Sequence, residues 1–219
     1  AVLKQGKSLP NAGAYKDYFK WVATGLEEPM TTHADRFKYN TGYGMTAYDK
    51  GSIFLSQLQY VIGKENFDNT LKKYFNDWSF KHPKPNDFIR SAEKVSGLEL
   101  DWYLLDWAQS TMTIDYSINS IYGVDNKTRV VLKRIGQMGM PIDLRVELLN
   151  GEVLDYNIPM TKMRGSKPVS SSTILKSWSW AKPYYELYID IDSKSISKIT
   201  IDPKNEMADI NRNNNHLVL

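Results

Sequence analysis

The sequence predicts an α+β protein, with helices over residues 1–112 followed by an antiparallel β-sandwich over residues 113–219. Three observations carry this. Apolar residues recur at helical spacing in the first half, most regularly from Met45 to Ile62. After Ser110 the pattern changes to period two, in about seven short runs set at the spacing of a sandwich. The aromatic share of 12%, with 14 Tyr and 6 Trp, fits many strands or an aromatic-lined cleft.

The elements follow in order. Residues 14–23 place Tyr15, Tyr18, Phe19 and Val22 on one helical face, and Gly25 offers a stop. Residues 26–43, with Pro29 and Asn40-Thr41-Gly42, read as a loop. In the helix 45–62 the stripe Ala47, Gly51, Phe54, Leu58 and Val61 faces inward, Tyr48 lies about 100° from it, and Gly63 ends the helix. Helices 67–78 and 87–95 come next, the second introduced by Pro83, Pro85 and Asn86 and closed by Gly97. Asp101 can cap a last one carrying Trp102, Leu105 and Trp107. Strands are expected at 113–118, 129–135, 142–148, 153–158, 173–175, 185–191 and 196–201. Asn150-Gly151 suits a type I′ hairpin turn, Gly136, Gly139 and Pro141 mark a turn or bulge, and residues 164–172 a polar surface loop. The end of the chain reads as a polar tail.

Composition removes several classes. Net charge is +3, from 28 basic and 25 acidic residues with no basic block, so neither nucleic acid nor a membrane surface finds an electrostatic footprint. With no cysteine there is no disulfide, thiolate metal site or cysteine nucleophile. No apolar run approaches the ~18–20 residues of a membrane span. The first 13 residues are polar and do not resemble a signal peptide, and Ala1 in place of Met fits either an artificial boundary or a processing site.

Few residues could carry chemistry. His33, His82 and His216 match no zinc spacing, no HExxH occurs, and no GxSxG elbow is present. The acidic pairs Glu27-Glu28 and Asp190/Asp192 read as solvated faces, although Glu27-Glu28-Pro29-Met30 could also flank a cleft. Asp49 and Lys50 could pair with one another or cap the helix, and Gly51 would let the helix approach a neighbour. Tyr48, in Thr46-Ala47-Tyr48-Asp49-Lys50-Gly51, reads on its own as an interfacial tyrosine whose hydroxyl finds a backbone partner. A phenol stays protonated at neutral pH and can donate a hydrogen bond to a developing oxyanion. Tyr43, five residues earlier, is either a substrate contact or a loop aromatic packed on the helix.

The string around Tyr48, a helix, and then Trp78-Ser79-Phe80-Lys81-His82-Pro83-Lys84-Pro85-Asn86-Asp87-Phe88 resemble the C-terminal part of a gluzincin zinc metallo-aminopeptidase, of the aminopeptidase N and leukotriene hydrolase family. Asp49 stands where that family more often has Glu. The second half resembles the sandwich module that follows the peptidase domain in a bacterial branch, through Met140-Pro141-Ile142-Asp143-Leu144, Trp178-Ser179-Trp180 and Met207-Ala208-Asp209-Ile210-Asn211-Arg212. The resemblance runs from about Leu26 to Asn214.

It implies the helical C-terminal part of a thermolysin-like domain, with Tyr48 catalytic as oxyanion donor and Tyr43 in substrate binding. It also implies a peptide substrate in the complete enzyme, zinc in the parent protein and no metal site in this fragment, which packs on the upstream zinc-binding half. Alone, the fragment would be inactive. Relatives in the bacterial branch are often exported, which implies the cell envelope or a secreted protein. Two other readings stand beside it. One is a non-catalytic interaction or scaffold module related to the peptidase. The other is a protein- or carbohydrate-binding sandwich whose platform would be Trp178, Trp180, Tyr184 and Tyr185.

Overall fold

A computed structural model describes residues 11–219; the polar segment 1–10 lies outside the described residues. Helix α1 spans Ala12–Ala23, α2 Asn40–Gly44, α3 Gly51–Ile62, α4 Lys64–Trp78, α5 Pro85–Ser96 and α6 Asp101–Ala108. A π-helical turn, Met45–Lys50, joins α2 to α3, so a continuous helical path runs through residues read in part as a loop. The helices meet around stacked aromatics: Tyr103 lies 5.1 Å from Phe54 and 6.1 Å from Trp107, and Trp107 lies 6.4 Å from Tyr18. Gly63 and Gly97 close α3 and α5 with positive φ, as read from the sequence. Pro85 occupies the first turn of α5, where a missing N–H costs nothing, and Asp87 accepts the Lys84 N–H at 2.8 Å.

The π turn changes which residues face inward. A wider turn rotates everything before it, so Ala47 is exposed, while Thr46, Lys50, Ile53 and Gln57 are buried. The stripe read from α-helical spacing is therefore correct from Phe54 onward and wrong at Ala47. Gly51 does not serve a close approach either, because a Cβ there would meet open space.

The strands are β1 Tyr116–Val124, β2 Lys127–Arg134, β3 Ile142–Leu148, β4 Val153–Ile158, β5 Thr173–Ile174, β6 Tyr184–Ile189, β7 Ile196–Ile201 and β8 His216–Val218. They form a three-stranded sheet in the order β1-β2-β6 and a five-stranded sheet in the order β5-β4-β3-β7-β8. Strand β3 alternates buried Ile142, Leu144, Val146 and Leu148 with half-buried polar partners, the period-two pattern in its plainest form. Val130, Leu132 and Leu187 of one sheet share a core cluster with Ile142, Leu144, Val146, Ile199 and Ile201 of the other, and with the helices.

Four sequence expectations are corrected in this half. The second sheet is mixed rather than antiparallel throughout, since β4 and β5 run parallel. Only Gly151 of the Asn150-Gly151 pair has positive φ, so the turn is not type I′, which needs it at both. The Gly151 N–H reaches Leu148 O at 3.0 Å and Glu152 N–H reaches Asn150 Oδ1 at 2.9 Å, closing a longer loop. The polar tail is ordered instead: Met207, Ala208 and Asp209 are buried, and β8 pairs with β7. Lys167, in the supposed surface loop, pairs with Asp143 at 2.6 Å and lies 4.2 Å from the centre of the Tyr60 ring.

Candidate active-site surface

Tyr48 sits in the middle of the π turn and points away from the core, 71% exposed. Among the described residues no hydrogen bond engages its hydroxyl, which is therefore open to a substrate or another protein surface. Of the two inward side chains of the same turn, Thr46 is buried without a hydrogen bond among the described residues and Lys50 is anchored. Lys50 Nζ lies 2.6 Å from Glu27 Oε1, with the two side chains 1% and 5% exposed, and donates to Ser110 O at 3.1 Å. Glu27 belongs to the loop after α1, and Ser110 follows α6, so one ammonium ties three separate segments. Burial pushes the Glu27 carboxyl above its ordinary range, and the Lys50 charge partly offsets this. Removing one partner of such a pair generally costs about 3–5 kcal/mol, because the other is left buried and uncompensated.

Glu27 is thus not part of a solvated acidic face, and Lys50 does not pair with Asp49. Asp49 instead has its pKa raised, chiefly by burial and then by Asp17 of α1. Glu28 accepts the Lys38 N–H at 3.2 Å. The close approach in this region falls at Gly42, where a Cβ would come 3.1 Å from the Trp21 ring. Tyr43 is 36% exposed and stacks edge-on against Phe37, ring centres 5.6 Å apart, so its packing role is visible while one side stays open. Sequence reasoning missed the Glu27–Lys50 pair. Its signal was two charged residues at positions where a helical face and a loop had to be apolar or paired.

The histidines are dispersed: His33 Nδ1 accepts the Asp35 N–H, His82 is exposed after α4, and His216 begins β8. Among the described residues no group of three or more His, Cys, Asp or Glu could hold a metal ion. The four aromatics of the supposed platform are split. Trp178 is buried against Tyr116 and Tyr185 and donates to Lys182 O, while Trp180 and Tyr184 are exposed. A cleft of about 720 Å³ opens between α3, α4 and β3, lined by Tyr60, Phe67, Arg145, Asp155, Lys167 and Lys204 among others; neither Tyr43 nor Tyr48 lines it.

Residues 13–107, which include the π turn and Glu27 but not Ser110, match the Peptidase family M1 domain. That segment is similar to the M1 peptidase family. The chain is 24% identical to aminopeptidase N of Escherichia coli over 140 residues, 60% of this chain and 16% of that protein. It is also 24% identical to aminopeptidase N of Haemophilus influenzae over 111 residues, 51% of this chain and 12% of that protein. A crystal structure of Legionella pneumophila aminopeptidase A in complex with aspartic acid is similar to 77% of this chain and 18% of that one, with TM-score 0.48 and 17% identity. The chain thus spans under a fifth of each of these three proteins. Among the described residues no helix is long and apolar enough to cross a membrane.

Proposed function

We propose that this chain is the C-terminal part of a zinc-dependent aminopeptidase that hydrolyses N-terminal peptide bonds, and that Tyr48 is its oxyanion donor. The observation that carries the reading is the exposed, uncommitted Tyr48 phenol on a buried-anchored π turn, inside the segment that matches the M1 domain. Such wide turns are rare and concentrate at functional sites. The described residues do not form a zinc site, so the metal, the general base and recognition of the substrate amine are assigned to the part of the protein upstream of this chain. This chain contributes a fixed hydroxyl dipole that donates to the tetrahedral oxyanion, with Tyr43 beside it as a substrate contact. Its exposed face at Tyr48 packs on that upstream half.

The test is Tyr48→Phe in the complete protein, assayed on an aminoacyl-nitroanilide. Loss of one oxyanion donor typically costs ~2.7–4 kcal/mol of barrier, so turnover is expected to fall at least about a hundredfold. Unchanged turnover overturns the assignment.

A further inference from the structure

We infer that Lys50 is a positioning residue for Tyr48, through the buried contact with Glu27 and Ser110 that fixes the π turn; this rests on the reading of Tyr48 as oxyanion donor. The turn has two inward side chains, Thr46 and Lys50, and Tyr48 lies midway between them on the outer side. Fixing both ends of so short an arc fixes the direction of its middle. A π turn is less favourable than the α-helix on either side and persists only where its surroundings hold it. Steric crowding does not impose it, because a Cβ at Gly51, the next residue, would meet nothing. Asp49 does not impose it either, since the charge it meets is the like charge of Asp17.

The Lys50 contact remains. A lysine 1% exposed requires partners, and it has two: the carboxylate of Glu27 at 2.6 Å and the carbonyl of Ser110 at 3.1 Å. The loop bearing Glu27 is itself tied to the end of α6 by the Thr31 N–H, which donates to Ala108 O at 3.1 Å. The ammonium therefore locks the π turn to a frame that is already closed. An apolar pair in its place would fill the space without directing the turn.

That difference gives the test. In the complete protein, Glu27→Leu/Lys50→Met replaces both charges together, which leaves neither charge buried alone and only the part-buried Ser110 O without its donor, so the melting temperature is expected to fall by a few degrees at most. We expect kcat to fall at least about tenfold with KM within about twofold. Combined with Tyr48→Phe, the pair replacement should cause no further loss, because its effect runs through the phenol. An unchanged kcat in the pair variant overturns the inference, and so does a loss that persists in full in the Tyr48→Phe background. If Tyr48→Phe alone leaves kcat unchanged, the reading of Tyr48 fails. Amide hydrogen exchange on the 219-residue chain then still decides the geometry. Exchange at residues 46–51 should quicken at least about tenfold in the pair variant while the second half of α3 holds, and equal exchange overturns the positioning.

Discussion

Gln57 and Ala208 are 151 positions apart, and the Gln57 Oε1 accepts the Ala208 N–H at 3.0 Å. The same buried side chain donates to the Tyr15 hydroxyl at 2.7 Å and to Glu206 O at 2.8 Å. The Tyr15 hydroxyl in turn donates to Glu206 O at 2.6 Å. Helices α1 and α3 are thereby stitched to the segment between β7 and β8. Replacing Gln57 with Leu keeps the volume and strands the buried Ala208 N–H, while Glu206 O keeps the Tyr15 hydroxyl. An unmet buried group costs about 1–3 kcal/mol, so Gln57→Leu should lose roughly that much in urea unfolding. A loss under 1 kcal/mol would show that the stitching is redundant.

Two glycines should respond in opposite ways. Gly51 lies at the start of α3 with open space beside it, so Gly51→Ala should stabilise the chain by up to about 1 kcal/mol through helix propensity. At Gly136 a Cβ would stand 2.3 Å from Thr113 O and 2.6 Å from Asp115 N, and backbone cannot yield as a side chain can. Gly136→Ala should cost more than about 2 kcal/mol or prevent folding. Thermal unfolding of both variants checks the pair.

Tyr48→Phe should leave the stability of the isolated chain within about 0.5 kcal/mol, because the side chain is 71% exposed and its hydroxyl is uncommitted among the described residues. Set beside a large loss of turnover in the complete protein, this separates a chemical role from a structural one. The isolated chain should show no peptidase activity of its own.

Acid should act on two buried carboxyls. Burial raises Asp202 and Asp209 from 3.8 to about 6, despite the backbone N–H groups each accepts. Their folded pKa values exceed the unfolded ones, so the folded chain holds more protons between about pH 4 and 6. Their contribution to stability is therefore full below about pH 4 and is lost as pH rises through 6. Asp155 works the other way, since the Arg145 guanidinium beside it lowers its pKa. Comparing the unfolding free energy of the wild type with Asp202→Asn/Asp209→Asn between pH 4 and 7 isolates the two groups. The variant should show a flatter fall with rising pH, and identical profiles would refute the assignment.

Much of the fold was legible because local pattern and tertiary environment agree. Strands β3, β4 and β7 fall on their predicted residues, as alternating side chains must when one face of a strand is buried. Helices α4 to α6 follow their caps and glycines to within about three residues. Strand β8 was not legible, because three residues ending Leu-Val before Leu219 carry too little pattern to separate an edge strand from a tail. The π turn was hidden for a related reason: spacing arguments assume one helical period, and at Lys50 the winding departs from it.

The order of helices before strands and the helix ends at Gly63 and Gly97 depend on neighbours close along the chain, so the sequence shows them. The direction of Tyr48, the pairing of Glu27 with Lys50 and the closing of the last thirteen residues over Gln57 and β7 depend instead on segments far apart in the chain. Burial of a charge or an amide is allowed only where a distant segment supplies its partner, and no local pattern records where that segment will come to lie.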